Sequence, residues 1–442
     1  MTEGYMKKGK IIIGGIMLAV VLAAAFIYFC VPISTGGSAP EWQPALAADV
    51  VLTAEQVSED RDAAIKFVED VHPYFALVDD QTAYAQAKQQ FENATAGEMS
   101  VGELQTAVAE YLCFFADGHT RVWWEEQDYL ALPMAYLDGN TYRVDDGRVT
   151  ERCLEKIGGV SMDEIYAAID RVMPAENEMA TKTNRENYLG GRSLLKLAGV
   201  DVQQDSITVT YTDGTEEETY FYNPTTADAE NSQVEAAHPA NGWHMEGDIF
   251  VVDFVECVFD DNFEKIVEKL ENAVQNGCSK VIIDARGNGG GNSGTCTRLL
   301  TAMGMKAPEY DMIIRYSPEA KQQRGYLRSR GLYRAKGSSG AKANEAVELV
   351  VLCDRYTFSS ATMLCVFVRD GGLGKLIGEP SSNMPNSYGD ILYMVLPNSH
   401  IFATVSHKQF VRPDEKNTER MLIPDIRTES EDAYQRAVEY FK

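Results

Sequence analysis

The sequence is short of positive charge. Its 442 residues include 40 lysines and arginines against 66 aspartates and glutamates, which gives a formal net charge of −26. Proteins that bind nucleic acid neutralise phosphates with lysine and arginine, and no basic stripe occurs after the first ten residues. The composition therefore argues against a nucleic-acid partner. With 45% hydrophobic and 24% charged residues, it is that of an ordinary globular chain.

Patterns that hold metals, cofactors or disulfide frameworks are also lacking. The eight cysteines are irregularly spaced and form no CxxC pair, and the six histidines form no HExxH or comparable cluster. The glycine-rich stretch DARGNGGG at 284–291 lacks the GxxxxGK[ST] of a phosphate-binding loop and fits GxGxxG poorly. We therefore expect no metal site and no cofactor.

One long hydrophobic run is present, at residues 11–33. It carries no charge and as a helix would span roughly 34 Å at about 1.5 Å per residue, enough to cross a bilayer. Lysines precede it, which predicts a cytoplasmic N terminus at 1–10 and a single-pass cell-membrane protein with the bulk of the chain extracytoplasmic. A cleaved signal peptide is the alternative, although its apolar region is usually shorter.

C-terminal to this run, the composition and the hydrophobic periodicity change several times. Helical spacing dominates first, short strands with DG turns follow, and strands then alternate with helices as in a sheet with crossover helices. Residues 316–346, rich in charge, glycine and serine, are predicted to be a mobile insertion. The predicted regions are a linker at 34–50, a helical region at 51–128, a small α+β module at 129–225, an α/β core at 240–430 and a C-terminal helix at 431–442.

Small hydroxyl residues stand where a buried strand passes into a helix. DRYTFSSAT at 354–362 lies between two apolar runs, and DARGNGGG at 284–291 follows the preceding buried strand. The carboxyl ends of parallel strands meet at one edge of a sheet, so we expect both loops at the same edge. The serines either cap the helix or include a nucleophile, and the glycines either form a tight turn or direct amides at an oxyanion.

A nucleophilic hydroxyl needs a base within hydrogen-bond reach. Among the histidines, His119 stands out because DGHT at 117–120 ends a predicted helix at a turn, where functional side chains are often presented.

These stretches together resemble peptidase family S41, which includes the C-terminal processing proteases and the tricorn-core proteins. The matching segments are DGHT at 117–120, VIIDARGNGGG at 281–291, DRYTFSSATML at 354–364, LIGEPSS at 376–382 and PDI at 424–426. The resemblance covers about residues 55–430. It implies a multidomain α/β (α+β) fold with a ClpP/crotonase-like catalytic core, and a PDZ-like identity for the module at 129–225.

The resemblance also implies catalytic roles. Ser359 matches the family's nucleophile, with Ser360 as the alternative. Processing proteases pair their serine with a lysine, but the corresponding place reads SSNMP at 381–385 and contains none. The Ser-His branch of the family is therefore favoured, with His119 as general base and acid.

In that branch a glutamate upstream of the PD motif orients the histidine side of the site. Glu419 and Glu415 both lie in the matching window, and the alternative stays open. The oxyanion donors implied by the resemblance are the amides of Gly289 or Gly290 and of Ser360.

The function implied is that of a membrane-anchored serine endopeptidase of the tail-specific type, without cofactor, that cleaves extended or unfolded polypeptides. The alternative is an inactive S41-fold ectodomain that binds peptide or lipid, because fold alone does not establish function. A sensor that cleaves one regulatory partner is a third possibility. The sequence gives no indication of the oligomeric state.

Overall fold

The computed structural model describes residue 28 and residues 31–124, 126, 128–223 and 240–442. In this part of the chain the fold is mixed α/β, as the sequence predicts. Helices and strands are numbered below in chain order.

The predicted transmembrane helix is wrong. No helix of the described residues is long and apolar enough to cross a membrane. The end of the predicted span, residues 31–33, is non-helical and continues into an extended strap, residues 31–38, that lies on the protein surface. Thr35 N–H in the strap donates a hydrogen bond to the Gly325 carbonyl at 2.9 Å. Most of the span, together with the predicted cytoplasmic residues 1–10, lies outside the described residues, and a single-pass membrane location is not supported.

The N-terminal region is mainly helical. Thr53 and Ser100 each form a capping box at the start of a helix, in which side chain and backbone satisfy two otherwise unpaired amides. The elements are β1 (Val51–Leu52), α1 (Ala54–Val71), α2 (Tyr74–Leu77), α3 (Thr82–Ala94), β2 (Met99–Ser100), α4 (Val101–Cys113) and β3 (Arg121–Val122). The DGHT turn at 117–120 connects α4 to β3.

A small α+β module follows. Its main sheet has the strand order β10-β9-β7-β6-β5 and is antiparallel, β8 pairs with β7, and a separate pair joins β4 to β11. The strands are β4 (Tyr129–Leu130), β5 (Met134–Leu137), β6 (Asn140–Asp145), β7 (Arg148–Ile157), β8 (Val160–Ser161), β9 (Ile207–Tyr211), β10 (Glu216–Thr219) and β11 (Phe221–Tyr222). The helices are α5 (Met162–Val172), α6 (Glu178–Tyr188) and α7 (Arg192–Ala198).

The C-terminal region contains two sheets. The first has the order β12-β13-β14-β17-β18-β21, parallel from β13 onward, and the second has the order β16-β15-β20-β19. The strands are β12 (Gly242–Glu246), β13 (Ile249–Asp253), β14 (Lys280–Asp284), β15 (Asp311–Tyr316), β16 (Gly331–Ala335), β17 (Glu348–Cys353), β18 (Lys375–Gly378), β19 (Ser387–Val395), β20 (Phe402–Val411) and β21 (Ile426–Arg427). The helices are α8 (Asp261–Gln275), α9 (Gly294–Ala302), α10 (Pro318–Arg324), α11 (Ser360–Gly371) and α12 (Ser430–Tyr440).

Two features of this region position the site. The parallel strands are covered on both faces, so they are continuously apolar: Val281, Ile282 and Ile283 in β14 are fully buried. Strands β14 and β17 are adjacent, so the glycine-rich loop and the DRYTFSSAT turn leave the sheet at the same edge, as predicted. In addition, β3 pairs with β20, which fixes the DGHT turn against the second sheet.

Residues 316–346 do not form the predicted insertion without structure. They contain α10 and β16, and β16 pairs with β15 to complete the second sheet. Two side chains of α10 cover the edge of β19, because Gln323 exchanges hydrogen bonds with the backbone of Tyr393 and Arg324 donates to the carbonyl of Ile391.

Candidate active site

Ser359 lies at the sharp turn between β17 and α11. Its backbone has φ 51° and ψ −121°, a conformation that residues with a side chain rarely adopt. The turn is held by its neighbours: Ser359 N–H donates to Asn383 Oδ1 at 3.0 Å, and the buried Asp354 carboxylate accepts the amides of Thr357 and Gly287, each at 3.0 Å. A strained strand-to-helix turn of this kind presents a nucleophilic side chain above the sheet edge.

His119 reaches the same point from the DGHT turn. Its Nε2 atom is 3.0 Å from Ser359 Oγ, within hydrogen-bond distance. The backbone of the histidine is fixed by Thr404, whose hydroxyl donates to the His119 carbonyl at 2.8 Å, and its ring packs on Phe358 with a centroid separation of 4.7 Å. The structure therefore brings together the two residues that the sequence pairs as nucleophile and base, although they are 240 positions apart.

Asp117 lies behind the imidazole and is 1% exposed. Its Oδ1 atom accepts the His119 amide at 3.0 Å and is 3.6 Å from His119 Nδ1. Its Oδ2 atom accepts the hydroxyls of Thr120 and Ser406, each at 2.6 Å, and is 3.4 Å from His72 Nε2. Burial opposes ionisation, but the attraction of the neighbouring His119 and His72 rings outweighs it and holds the pKa of Asp117 well below its usual range.

The pKa of His119 responds to the same carboxylate. Burial opposes protonation of the ring, yet its interaction with Asp117, supported by the charge of Glu176, raises the pKa above the usual value of 6.5. His72 behaves in the opposite way, because burial dominates and lowers its pKa. Its ring packs against Phe115 at a centroid separation of 4.4 Å.

Glu176 is the site residue that the sequence did not reveal. It lies between α5 and α6 of the small module and is 2% exposed. Its Oε1 atom accepts the Gly118 amide at 3.0 Å, and its Oε2 atom accepts the Asn383 side chain at 2.8 Å and the Met384 amide at 2.7 Å. Burial, together with the nearby charge of Asp117, raises the pKa of Glu176 to about 7. This one carboxyl group thus links the turn that carries His119 to the loop that supports Ser359.

The predicted oxyanion donors differ in availability. Within the described residues, the amides of Gly289 and Ser360 donate no hydrogen bond, whereas Gly290 N–H donates to Asn288 Oδ1 at 2.8 Å. The Ser360 hydroxyl is also engaged, because it donates to the Gly291 carbonyl at 2.7 Å. Only Ser359, of the two adjacent serines, presents its hydroxyl to His119.

Glu415 and Glu419 are not brought to the site. Glu415 is paired with Lys336 at the surface, and Glu419 is an exposed residue that interacts with Asn417. Neither lines the cleft described below. The acidic groups next to His119 are instead Asp117 and Glu176.

Ser359 and His119 open into a cleft of about 1000 Å³ between the small module, the glycine-rich loop and the second sheet. The first part of strand β19 forms one wall, and a β-carbon on Gly389 would lie 3.7 Å from His119 Cε1. A hydroxyl on a strained turn, an imidazole within hydrogen-bond distance and a buried carboxylate behind it form the arrangement of serine hydrolases.

Comparison with known proteins agrees with this class. Residues 248–428 match the sequence profile of Peptidase family S41. The chain is thus a serine peptidase, and its C-terminal region belongs to family S41. Among the curated proteins, no sequence matches the chain significantly.

Solved structures of CPAF share the fold at low sequence identity. Mature CPAF is 13% identical, with 87% of this chain and 96% of that chain covered and a TM-score of 0.58. CPAF complexed with lactacystin is also 13% identical, with 87% and 97% coverage and a TM-score of 0.56. The photosystem II D1 C-terminal processing protease is 13% identical, with 86% and 94% coverage and a TM-score of 0.44.

Proposed function

We propose that the protein is an endopeptidase that cleaves extended or unfolded polypeptides, with Ser359 as nucleophile and His119 as general base. The observation that carries this proposal is the 3.0 Å separation of His119 Nε2 from Ser359 Oγ. A serine hydroxyl is a weak nucleophile unless an adjacent base removes its proton. No lysine is needed in this scheme, which fits its absence from residues 381–385.

Each step of peptide hydrolysis has a residue to perform it. His119 takes the Ser359 proton as Oγ attacks the scissile carbonyl, and then delivers that proton to the leaving amine. A water molecule activated by the same histidine hydrolyses the acyl-enzyme. The oxyanion formed in both steps is stabilised by the amides of Ser360 and Gly289, which have no internal acceptor among the described residues.

Asp117 takes the orienting role that the sequence assigned to Glu415 or Glu419. Its Oδ1 atom faces His119 Nδ1 at 3.6 Å, a contact that we expect to shorten when substrate binds, since catalytic hydrogen bonds are often long in the free enzyme. As His119 becomes positively charged in the transition state, the buried carboxylate stabilises that charge. Glu176 supports the arrangement indirectly through Gly118 and Asn383.

An extended substrate fits the wall of the cleft. Strand β19 ends its sheet, and Ser387 and Gly389 line the cleft beside His119. Farther along β19, the same edge is covered by side chains of α10 at Ile391 and Tyr393. Because the backbone groups of an edge strand can pair with an added strand, the stretch of β19 that lines the cleft is suited to holding a polypeptide in extended form.

The test compares two adjacent serines. The full chain is incubated with a denatured protein and the fragments are followed by mass spectrometry, for the wild type, Ser359→Ala and Ser360→Ala. We expect fragments from the wild type and from Ser360→Ala, whose hydroxyl only bonds to Gly291, and none from Ser359→Ala. Fragments from Ser359→Ala, or from a folded His119→Ala variant, would exclude the proposed mechanism.

A further inference from the structure

The residues around His119 form a cluster whose composition also suits a metal ion. One ligating atom from each of Asp117, His119 and Glu176 lies within 4.8 Å of the other two. These residues come from two distant parts of the sequence, so a search for local motifs such as HExxH does not find them. Asp117 and Glu176 are buried, His119 is partly buried, and each offers an atom type that binds transition metals.

The imidazole atom that faces Asp117 is unpaired. His119 Nδ1 is shielded from solvent and has no hydrogen-bond partner in the described part of the chain, because Asp117 Oδ1 is 3.6 Å away. That separation is long for a hydrogen bond. It is close to the roughly 3.4 Å expected between two ligands that share a tetrahedral zinc ion at about 2.1 Å.

Within the described part of the chain, the two carboxylates are not neutralised by lysine or arginine. No lysine or arginine side chain of the described residues forms an ion pair with either Asp117 or Glu176. Arg420 approaches Glu176, but it donates to the main-chain carbonyl at 2.8 Å. Two buried carboxylates so close together are costly when both are ionised, and a bound proton or a bound cation relieves the repulsion.

We propose that Asp117, His119 and Glu176 form an inhibitory site for a divalent transition-metal ion of the zinc type. The mixed nitrogen and oxygen ligand set favours zinc over magnesium or calcium, which prefer oxygen ligands alone. Binding displaces whatever protons His119 and Glu176 carry, so the site fills more readily as the pH rises. The inference rests on the proposed role of His119 for its inhibitory effect, but not for metal binding itself.

Inhibition follows from the two nitrogens of one imidazole ring. When a metal ion occupies Nδ1, a neutral imidazole must carry its proton on Nε2, the atom that faces Ser359 Oγ. That nitrogen then donates a hydrogen bond to the serine and cannot accept its proton. The ion therefore switches off the base without entering the cleft where a polypeptide would lie.

Metal binding is tested on the full-length Ser359→Ala protein, which retains all three ligands and is expected not to digest itself. After treatment with a chelator and its removal, zinc chloride is titrated by calorimetry. We expect one ion per chain, and at least tenfold weaker binding when either Glu176→Gln or His119→Ala is added. The site is excluded if Ser359→Ala does not bind zinc stoichiometrically, or if either double variant binds it as tightly as Ser359→Ala alone. Thermal unfolding of each variant verifies that it is folded.

Inhibition is tested separately on the wild type. We expect zinc to abolish cleavage of a denatured protein over the concentration range in which it binds Ser359→Ala, and a chelator to restore it. Zinc that binds at this site without lowering activity would overturn the inhibitory role. If zinc binds at the site but Ser359→Ala still cleaves the denatured protein, the proposed catalytic function is refuted and the metal site is retained.

Discussion

Gly290 is the position where the geometry of the turn can be tested most directly. A β-carbon added there would lie 2.6 Å from Ser359 Cβ and 2.9 Å from both Phe358 O and Ser360 N, and the residue has φ +102°. The backbone conformation alone costs alanine roughly 1–3 kcal/mol. The contacts are with backbone atoms and a β-carbon, which cannot rotate away, so overpacking adds about 1–3 kcal/mol. We expect Gly290→Ala to destabilise the protein by about 2–6 kcal/mol in total.

The matched control is Gly287→Ala in the same loop. Gly287 also has positive φ, at +72°, but a β-carbon there would meet nothing within 4 Å. It should therefore show the backbone cost of about 1–3 kcal/mol without the clash. Gly289→Ala, where φ is not positive and the space is open, serves as the unstrained reference.

Urea unfolding and peptidase assays of the three variants separate these contributions. Since the clash at Gly290 displaces the nucleophile and the Ser360 amide, we expect kcat to fall by about 100-fold or more in the Gly290→Ala protein that remains folded. The other two variants should keep most of their activity. If Gly290→Ala matches Gly287→Ala in both stability and kcat, the close packing of the glycine loop on Ser359 does not govern catalysis.

Three further predictions concern the groups around the nucleophile. His119 must be neutral to act as base and its pKa is raised, so kcat/KM should fall as the pH decreases through that raised pKa. Asp117→Asn should move this decline to lower pH and reduce kcat by at least about 100-fold. An unchanged pH profile in this variant would contradict the pairing of Asp117 with His119. Asn383→Ala should destabilise the protein by about 1–3 kcal/mol, because Ser359 N–H loses its acceptor; urea unfolding measures this, and no loss would contradict it. Met384→Ala should leave kcat nearly unchanged because the contact with Glu176 uses the backbone amide, and a large loss at unchanged stability would reveal a role for the side chain.

Those parts of the site that depend only on local sequence pattern and sheet topology can be predicted from the sequence. DRYTFSSAT and the glycine-rich loop each follow a buried apolar strand, and the rule that parallel strands end at one edge brings them together. Pairing His119 with Ser359 depended on the family resemblance, because nothing in the spacing of 240 residues specifies a contact. Asp117 stands within the quoted DGHT motif, yet only the fold shows that it is buried behind the imidazole.

The residues that the sequence missed or misplaced depend on information that it does not carry locally. Glu176 follows Pro174 at the end of a helix, in a setting that resembles any polar turn, and only the packing of the small module against the core buries it. Glu415 and Glu419 lie in the window that matches the family motif, but position in a window does not determine the direction in which a loop side chain points. The hydrophobic run at 11–33 has the length of a membrane span, whereas its last residues continue into the strap.

The strap has a practical consequence for anyone who shortens this protein. Residues 31–38 pack on the end of α10. The two backbones approach so closely that a β-carbon on Gly37 would lie 2.3 Å from Gln323, and one on Gly325 would lie 2.2 Å from Gly36. Arg324, at the end of α10, lines the cleft and covers part of β19. A truncated protein that starts beyond Ser38 would lose the contact of the strap with α10, which supports one wall of the cleft. Low activity in such a preparation would therefore result from the truncation and not from a defect in the catalytic residues.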